Sequence, residues 1–361
     1  LGLDADEGPF YQSQRYSRYR EVIRQWLGEG KAYHCWCSKE ELEEMRAAQL
    51  ARKEKPRYDG RCRAGRAPRE GVTPVVRFKN PAKGAVDVED AVHGKVVFQN
   101  AELDDLIIER SDGNPTYNFC VVVDDYDMRI THVIRGDDHL NNTPRQMNML
   151  RARGVEPPVY AHLPMILGPD GTKLSKRHGA VSVLAYREEG YLPEALLNYL
   201  ARLGWSHGDQ EIFTLEEMTA LFDIADVNKS ASALNLEKLA WINQQHLMRL
   251  PASKVVPELR WQLERQGITA ADDTVLEAVI LAQRERSKTL KEMAEASRFF
   301  FEAPADYDEK AARKHLTAEA APVLAQAIGT FTALPDWDAA SIHGAIHAQA
   351  EASGIGLGKV A

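Results

Sequence analysis

An α/β chain that turns all-α in its second half is predicted by three observations. Between Thr116 and Leu167, apolar runs and helical periodicity alternate as strand, loop, helix, strand, which implies one half of a parallel, doubly wound sheet. Ahead of it, from Val75 to Ile108, short apolar runs separated by Gly, Pro and Asn imply a small antiparallel region. Beyond Ala180 strands become scarce and alanine-rich helical patterns take over. With 361 residues the chain is too long for one core, so roughly two to four domains are expected.

The elements follow in order. Tyr16, Tyr19, Ile23, Trp26 and Leu27 recur at helical spacing, so a helix runs from about Gln14 to Leu27, with Gly28 and Gly30 as stops. Ser38 followed three residues later by Glu41 is a capping box, and Leu42, Met45 and Leu50 form the apolar stripe of a second helix. Val75–Phe78, Ala85–Val88, Lys95–Phe98 and Leu106–Ile108 are short strands. The turn Ser111–Pro115 leads into Thr116–Val123, a longer apolar strand ending at Asp124 and Asp125, with Cys120 as core packing. Strand Thr131–Ile134, helix Thr143–Arg153 and strand Val159–Leu167 complete the alternation. Thr214 with Glu217 is another capping box, and Leu236, Leu239, Ala240, Ile242 and Leu247 mark an amphipathic helix over Leu234–Met248. A boundary near Pro251 separates this part from helices such as Thr274–Gln283 and Ala339–Ala350.

Composition narrows the function. No apolar run is long enough to cross a bilayer and no basic-then-apolar leader opens the chain, so a soluble cytoplasmic protein without a membrane partner is expected. The chain starts Leu-Gly-Leu-Asp with no methionine, which implies numbering that begins inside a longer polypeptide. A net charge of -8 argues against indiscriminate nucleic-acid coating. Between Arg52 and Arg69, however, eight basic residues face two acids, Glu54 and Asp59, which reads as a solvated loop or as a local phosphate-binding patch.

The loop from Gly168 to Gly179 packs Lys173, Lys176 and Arg177 among glycines after a core strand. Ammonium groups so placed can stabilise the charge that develops on phosphate oxygens when a carboxylate attacks the α-phosphorus of ATP. A solvated surface turn is the alternative. Cys35 and Cys37, one residue apart, and Cys62 group three of the four cysteines around the basic patch, a pattern that suits tetrahedral thiolate binding of Zn²⁺ or simply reduced free thiols.

Lys173-Leu174-Ser175-Lys176-Arg177 resembles the KMSKS loop of class I aminoacyl-tRNA synthetases, in the variant carried by the glutamyl branch. Asp6–Pro9, Pro56–Cys62, Pro115–Phe119, Ile134–His139 and Leu192–Leu200 resemble that branch in order and spacing, to at least the helix near Trp241. The resemblance implies a Rossmann-like catalytic domain over 1–180 with a mixed α/β acceptor-binding insertion at about 32–115, a stem-contact helical region over 181–250, and a helical anticodon-binding region over 251–361 that is cut short. It implies ligation of L-glutamate to tRNA(Glu) through glutamyl-adenylate, with ATP and Mg²⁺ as the substrate complex and a monomeric enzyme. Lys176 is then the principal catalytic phosphate ligand with Lys173 its helper, the strip Lys173, Leu174, Ser175, Lys176 and Arg177 holds ATP, and Tyr117, Arg135 and His139 line the glutamate pocket.

Two alternatives stand beside those roles: an ordinary strand aromatic for Tyr117, and a structural ion pair with Asp137 or Asp138 for Arg135. The family's HIGH-like signature and its early arginine are not in this sequence. In many relatives a histidine two residues after the third cysteine completes the zinc site, whereas Ala64 stands here. Tyr58 is the better substitute, because a tyrosine at that spacing serves in the shortened glutamyl-queuosine relatives; His34 is a weaker candidate. Three rival readings remain: the glutamyl-queuosine activity, against which the long tail after Arg177 argues, a non-catalytic tRNA- or zinc-binding module, and charging of tRNA(Gln) as well as tRNA(Glu).

Overall fold

A computed structural model describes residues 1–175, 182–269, 272–304, 307–354 and 356–357. The chain opens with α1 (Tyr16–Gly28), β1 (Ala32–Cys35) and α2 (Lys39–Ala51), then β2 (Val75–Phe78), β3 (Ala85–Asp90), β4 (Gly94–Gln99) and β5 (Ile107–Glu109). There follow α3 (Tyr117–Asp127), β6 (His132–Gly136), α4 (Thr143–Ala152), β7 (Val159–Leu163) and β8 (Ile166–Leu167). Next come α5 (Val183–Glu188), α6 (Pro193–Gly204), α7 (Leu215–Leu221), β9 (Ser232–Ala233), α8 (Leu236–Arg249), α9 (Ala252–Arg265), α10 (Asp273–Gln283) and α11 (Leu290–Ala296). Helices α12 (Glu309–His315), α13 (Ala320–Thr332) and α14 (Ala339–Ser353) close it.

The strands expected as one antiparallel region divide between two sheets. β1, β2 and β5 form an antiparallel three-stranded sheet, whereas β3 pairs antiparallel with β4 and parallel with β7 in a four-stranded sheet ordered β4-β3-β7-β6. Alternation marks a strand but not its neighbour, so local pattern left this choice open. The expected strand Val159–Leu167 is also two: β7 enters the main sheet, and β8 pairs parallel with β9. The capping boxes at Ser38 and Thr214 are both present, with Ser38 Oγ accepting from the Glu41 amide at 3.3 Å and Thr214 Oγ1 from that of Glu217 at 3.1 Å. In α2 the stripe is carried by Met45 and Gln49, while Leu50 is 61% exposed.

Thr116–Val123 is a helix, not a strand. Phe119, Cys120, Val122 and Val123 are all buried, an i, i+1, i+3, i+4 set that lies on one helical face but is equally consistent with a fully buried strand. Tertiary contacts decide it. Asp124 and Asp127 sit in the last turn, against the helix dipole, and Arg15 at the N-cap of α1, with Arg18 and Tyr19 in its first turn, compensates them. Arg15 reaches Asp124 and Asp127 at 2.7 Å each, Arg18 reaches Asp127 at 3.0 Å, and the buried Tyr19 hydroxyl donates to Asp124 at 2.7 Å. Trp26 of α1 packs 5.4 Å from both Phe78 and Phe119, so α1, the first sheet and α3 share one core.

The chain divides into two compact units, one running from Leu1 to Gly267 and taking in the segment up to Glu295, the other built mainly from Ala296 onward. In the first, Asn243 of α8 accepts from the Leu192 amide at 2.8 Å and donates to the Lys288 carbonyl at 2.6 Å. In the second, Gln349 of α14 donates to the Val323 carbonyl of α13 at 2.6 Å. Among the described residues no helix is long and apolar enough to cross a membrane.

Candidate active site and metal centre

Parallel register brings the pocket together. β6 and β7 align Val133 with Tyr160 and Arg135 with His162, so Arg135 and His162 project side by side from the same face at the strand ends. Arg135 is half-buried. Its Nε donates to His162 Nε2 at 3.2 Å, and its Nη2 donates to Thr143 Oγ1 and Gln146 Oε1 at 2.8 Å each, while the guanidinium lies 5.6 Å from the Tyr160 ring centre. Gln146 in turn donates to Asn118 Oδ1 at 2.8 Å. The alternative, an ion pair with Asp137 or Asp138, is not made: all of these Arg135 partners are neutral, and among the described residues none is a carboxylate within ion-pair range. Arg135 also acts on Asp125, whose carboxyl is pushed up to about 6 by burial, with Arg135 pulling the other way. A half-buried guanidinium held by neutral acceptors keeps an unspent charge for an incoming carboxylate.

Tyr117 starts α3 rather than lying on a strand, is 49% exposed, and has its ring 5.8 Å from that of His139. His139 Nδ1 lies 3.1 Å from Asn142 Nδ2 in the turn after β6. In that turn a Cβ at Gly136 would sit 2.8 Å from Asp138 Oδ1, so any larger residue there would displace the Asp138 carboxylate. The loop after β8 folds back on its strand: Leu167 bridges Lys173, the Leu174 amide donates to the Ile166 carbonyl at 3.1 Å, and the Gly168 amide donates to the Thr172 carbonyl at 2.7 Å. This brings Lys173 Nζ to 3.0 Å from Asp138 Oδ2, and that ammonium holds the Asp138 carboxyl below the usual range. Arg135, Asp138, His139 and Lys173 are thereby gathered at the end of β6. Ser175 also lies in this loop; Lys176 and Arg177 fall outside the described residues.

Sequence reasoning missed Asn118, Thr143, Gln146, Asp90 and His162. A signal existed for His162, which is a fully buried polar side chain inside the apolar run of β7.

The cysteine cluster is real. The sulfurs of Cys35, Cys37 and Cys62 lie within 4.8 Å of one another, with Cys37 and Cys62 at 3.5 Å. The buried Tyr58 hydroxyl lies 3.3 Å from Cys35 Sγ and 3.8 Å from Cys37 Sγ, and its oxygen accepts from the Cys62 amide at 3.1 Å. Ligands about 2.3 Å from a tetrahedral Zn²⁺ stand roughly 3.8 Å apart, so three sulfurs and one phenol fit the ion. His34 points from the exposed side of β1 and is not in the group. Burial pushes the Cys37 thiol up to about 12, with Cys62 adding to it. Burial raises Cys35 as well, but the Tyr58 hydrogen bond and Arg77 leave it below its ordinary value. Arg77 lies 3.7 Å over the Tyr58 ring and Arg66 reaches Cys37 Sγ at 3.7 Å, cations that would compensate thiolate charge.

The profile described as tRNA synthetases class I (E and Q), catalytic domain, matches residues 1–241. The chain belongs to this family. An anticodon binding domain profile matches residues 245–361. Glutamate–tRNA ligase 1 of Alkalilimnicola ehrlichii is 61% identical over all of this chain and 77% of that protein, and glutamate–tRNA ligase 1 of Nitrosococcus oceani is 59% identical with the same coverage. Among solved structures, a glutamate–tRNA ligase of Elizabethkingia meningosepticum in complex with its amino acid is 34% identical, has a TM-score of 0.80, and is matched over 98% of this chain and 77% of its own. This class I synthetase therefore combines a mixed-sheet catalytic part with a helical anticodon-binding part.

Proposed function

We infer that this chain is a glutamate–tRNA ligase that joins L-glutamate to tRNA(Glu). Arg135, a guanidinium presented at the sheet edge with only neutral partners, is the observation on this chain that favours an acidic amino acid. A glutamate carboxylate would meet its remaining Nη1 donors, with Tyr117 and His139 alongside. An oxygen of the glutamate α-carboxylate attacks the α-phosphorus of Mg-ATP, the bond from that phosphorus to the oxygen bridging to the β-phosphate breaks, and pyrophosphate leaves. The terminal ribose hydroxyl of tRNA then attacks the carbonyl carbon of glutamyl-adenylate, loses its proton, and AMP departs. Neither step needs a covalent enzyme intermediate; positioning and charge stabilisation carry both.

Lys173 and Lys176 stabilise the triphosphate as pyrophosphate leaves, Lys176 chiefly, with Leu174, Ser175 and Arg177 completing the ATP strip. The contact between Lys173 and Asp138 supports this, because an exposed ion pair is weak enough to be exchanged for a phosphate. Cys35, Cys37, Tyr58 and Cys62 would hold Zn²⁺, which closes the long polar segment between α2 and β2. We further propose the division 1–180, 181–250 and 251–361 with an insertion at about 32–115, and a monomer acting in the cytoplasm. In the full-length enzyme, glutamate-dependent ATP–pyrophosphate exchange with tRNA present is expected, and Lys176→Ala should reduce it by roughly a hundredfold or more with the fold retained. Exchange unaltered by that substitution would remove Lys176 from the mechanism, and exchange supported equally by glutamine would remove the glutamate assignment.

A further inference from the structure

Behind Arg135 lies a buried pair that the reaction scheme does not use. His162 and Asp90 have fully buried side chains, and His162 Nδ1 lies 2.5 Å from Asp90 Oδ2. Asp90 ends β3 beside β7, and its other oxygen accepts from the backbone amides of Val92 at 3.0 Å, His93 at 2.9 Å and His162 at 3.2 Å. Those three donors require a lone-pair oxygen at Oδ1, which leaves Oδ2 to the imidazole. On the far side of the ring, His162 Nε2 lies 3.2 Å from Arg135 Nε and 3.0 Å from Thr143 Oγ1. Arg135 Nε can only donate, so Nε2 must carry a lone pair and the proton must sit on Nδ1. Burial holds His162 below its ordinary value against the pull of Asp90, and amide donors hold Asp90 below its own despite burial, in keeping with a neutral ring on an ionised carboxylate.

We propose that Asp90 and His162 are positioning residues for amino-acid binding: Asp90 selects the His162 tautomer whose Nε2 accepts from Arg135, and so sets the plane in which the guanidinium meets the substrate carboxylate. Arg135 has a long, flexible side chain between backbone and guanidinium; His162 at Nε with Thr143 and Gln146 at Nη2 fixes its outer bonds and leaves the Nη1 donors for the substrate. This rests on the reading of Arg135 as a glutamate ligand.

Asp90→Asn tests it. The carboxamide oxygen must stay on the three amides, so its NH₂ faces His162 Nδ1, the ring proton moves to Nε2, and two donors then oppose each other at Arg135. In the full-length enzyme the KM for glutamate should rise about ten- to a hundredfold, as when a supporting partner of a site group is lost, with the KM for ATP unchanged. Nitrogen NMR of labelled histidine should show Nδ1 protonated in the parent and Nε2 protonated in Asp90→Asn. His162→Gln keeps an acceptor near Nε2 and should bind glutamate close to normally, whereas His162→Asn keeps only the Asp90 side and should not; this pair stands if Asp90→Asn fails to fold. An unchanged glutamate KM in Asp90→Asn, equal values in the two His162 variants, or a parent ring protonated at Nε2 would each overturn the proposal. Arg135→Ala separates the two layers: if it leaves the glutamate KM unaltered, the reading of Arg135 fails, and if it raises it while Asp90→Asn does not, only the positioning role fails.

Discussion

Position 58 decides the chemistry of the thiol cluster. Ala64 offers no donor where the resemblance implies a histidine, and Tyr58 reaches the same centre from four residues before Cys62, its ring clamped under Arg77 and its oxygen hydrogen-bonded by the Cys62 amide. A phenol so held cannot turn away, so it is pre-organised as a fourth donor. Purified enzyme should contain stoichiometric zinc by elemental analysis, Tyr58→Phe should lose most of it to a mild chelator, and Tyr58→His should regain it. Zinc held equally firmly by Tyr58→Phe would rule the phenol out. The cysteine spacing was legible in the sequence; the fourth donor was open between Tyr58 and His34, because only the fold shows that this segment is a strand, whose successive positions face opposite ways, putting Cys35 in and His34 out.

At the scale of elements, α6 and α8 are joined by a buried histidine. His246 is 5% exposed, and its Nε2 lies 3.0 Å from Asn198 Oδ1, which already accepts from the Phe213 amide at 3.0 Å. His246 must therefore donate there. Burial, with Arg249 nearby, lowers its pKa from 6.5 to about 4. The unfolded chain thus binds more protons than the folded one between these values, so stability is complete above about pH 6.5 and falls as the pH drops toward 4. At 1.36 kcal/mol per unit the loss amounts to about 3 kcal/mol. Denaturant midpoints followed from pH 7 to 4 should fall less steeply in His246→Gln than in the parent; parallel slopes would show that His246 is not the titrating group. The α3 helix makes the converse point about legibility. Its apolar residues satisfy both a buried strand and a helix, and the choice was made by Arg15, Arg18 and Tyr19, which lie more than a hundred residues earlier in the chain.

Across the whole molecule, net charge and local charge pull apart. The chain is at -8, yet Arg52–Arg69 is basic, and the fold spends most of that basicity internally. Arg52 pairs with Glu54 at 2.9 Å, Arg61 with Asp59 at 2.8 Å, Arg63 with Asp105 at 3.1 Å, and Arg66 and Arg69 both with Glu41 at 2.8 and 2.9 Å. Lys53, Lys55 and Arg57 are exposed and make no side-chain ion pair among the described residues. The cations of the patch left to meet a phosphate are these three. Each phosphate neutralised contributes roughly 0.7 to 0.9 to the salt slope, so replacing Lys53, Lys55 and Arg57 with Ala together should weaken tRNA binding and flatten log K against log salt by about 2. A triple variant with the parental slope would return the segment to a solvated loop.

The sequence by itself determined what depends on neighbours along the chain: the capped helices, the short strands, the cysteine spacing, and the order of segments that resembles the glutamyl synthetases. Only the tertiary structure decided what depends on neighbours across it. Strand pairing divided one expected antiparallel region into two sheets, since backbone hydrogen bonding is indifferent to side-chain identity. Parallel register set Arg135 beside His162 and the end of β3 beneath both, giving a guanidinium whose partners are neutral where adjacent aspartates had offered a nearer explanation. Charge placed by sequence is only potential; burial and geometry determine which of it is left to meet a substrate.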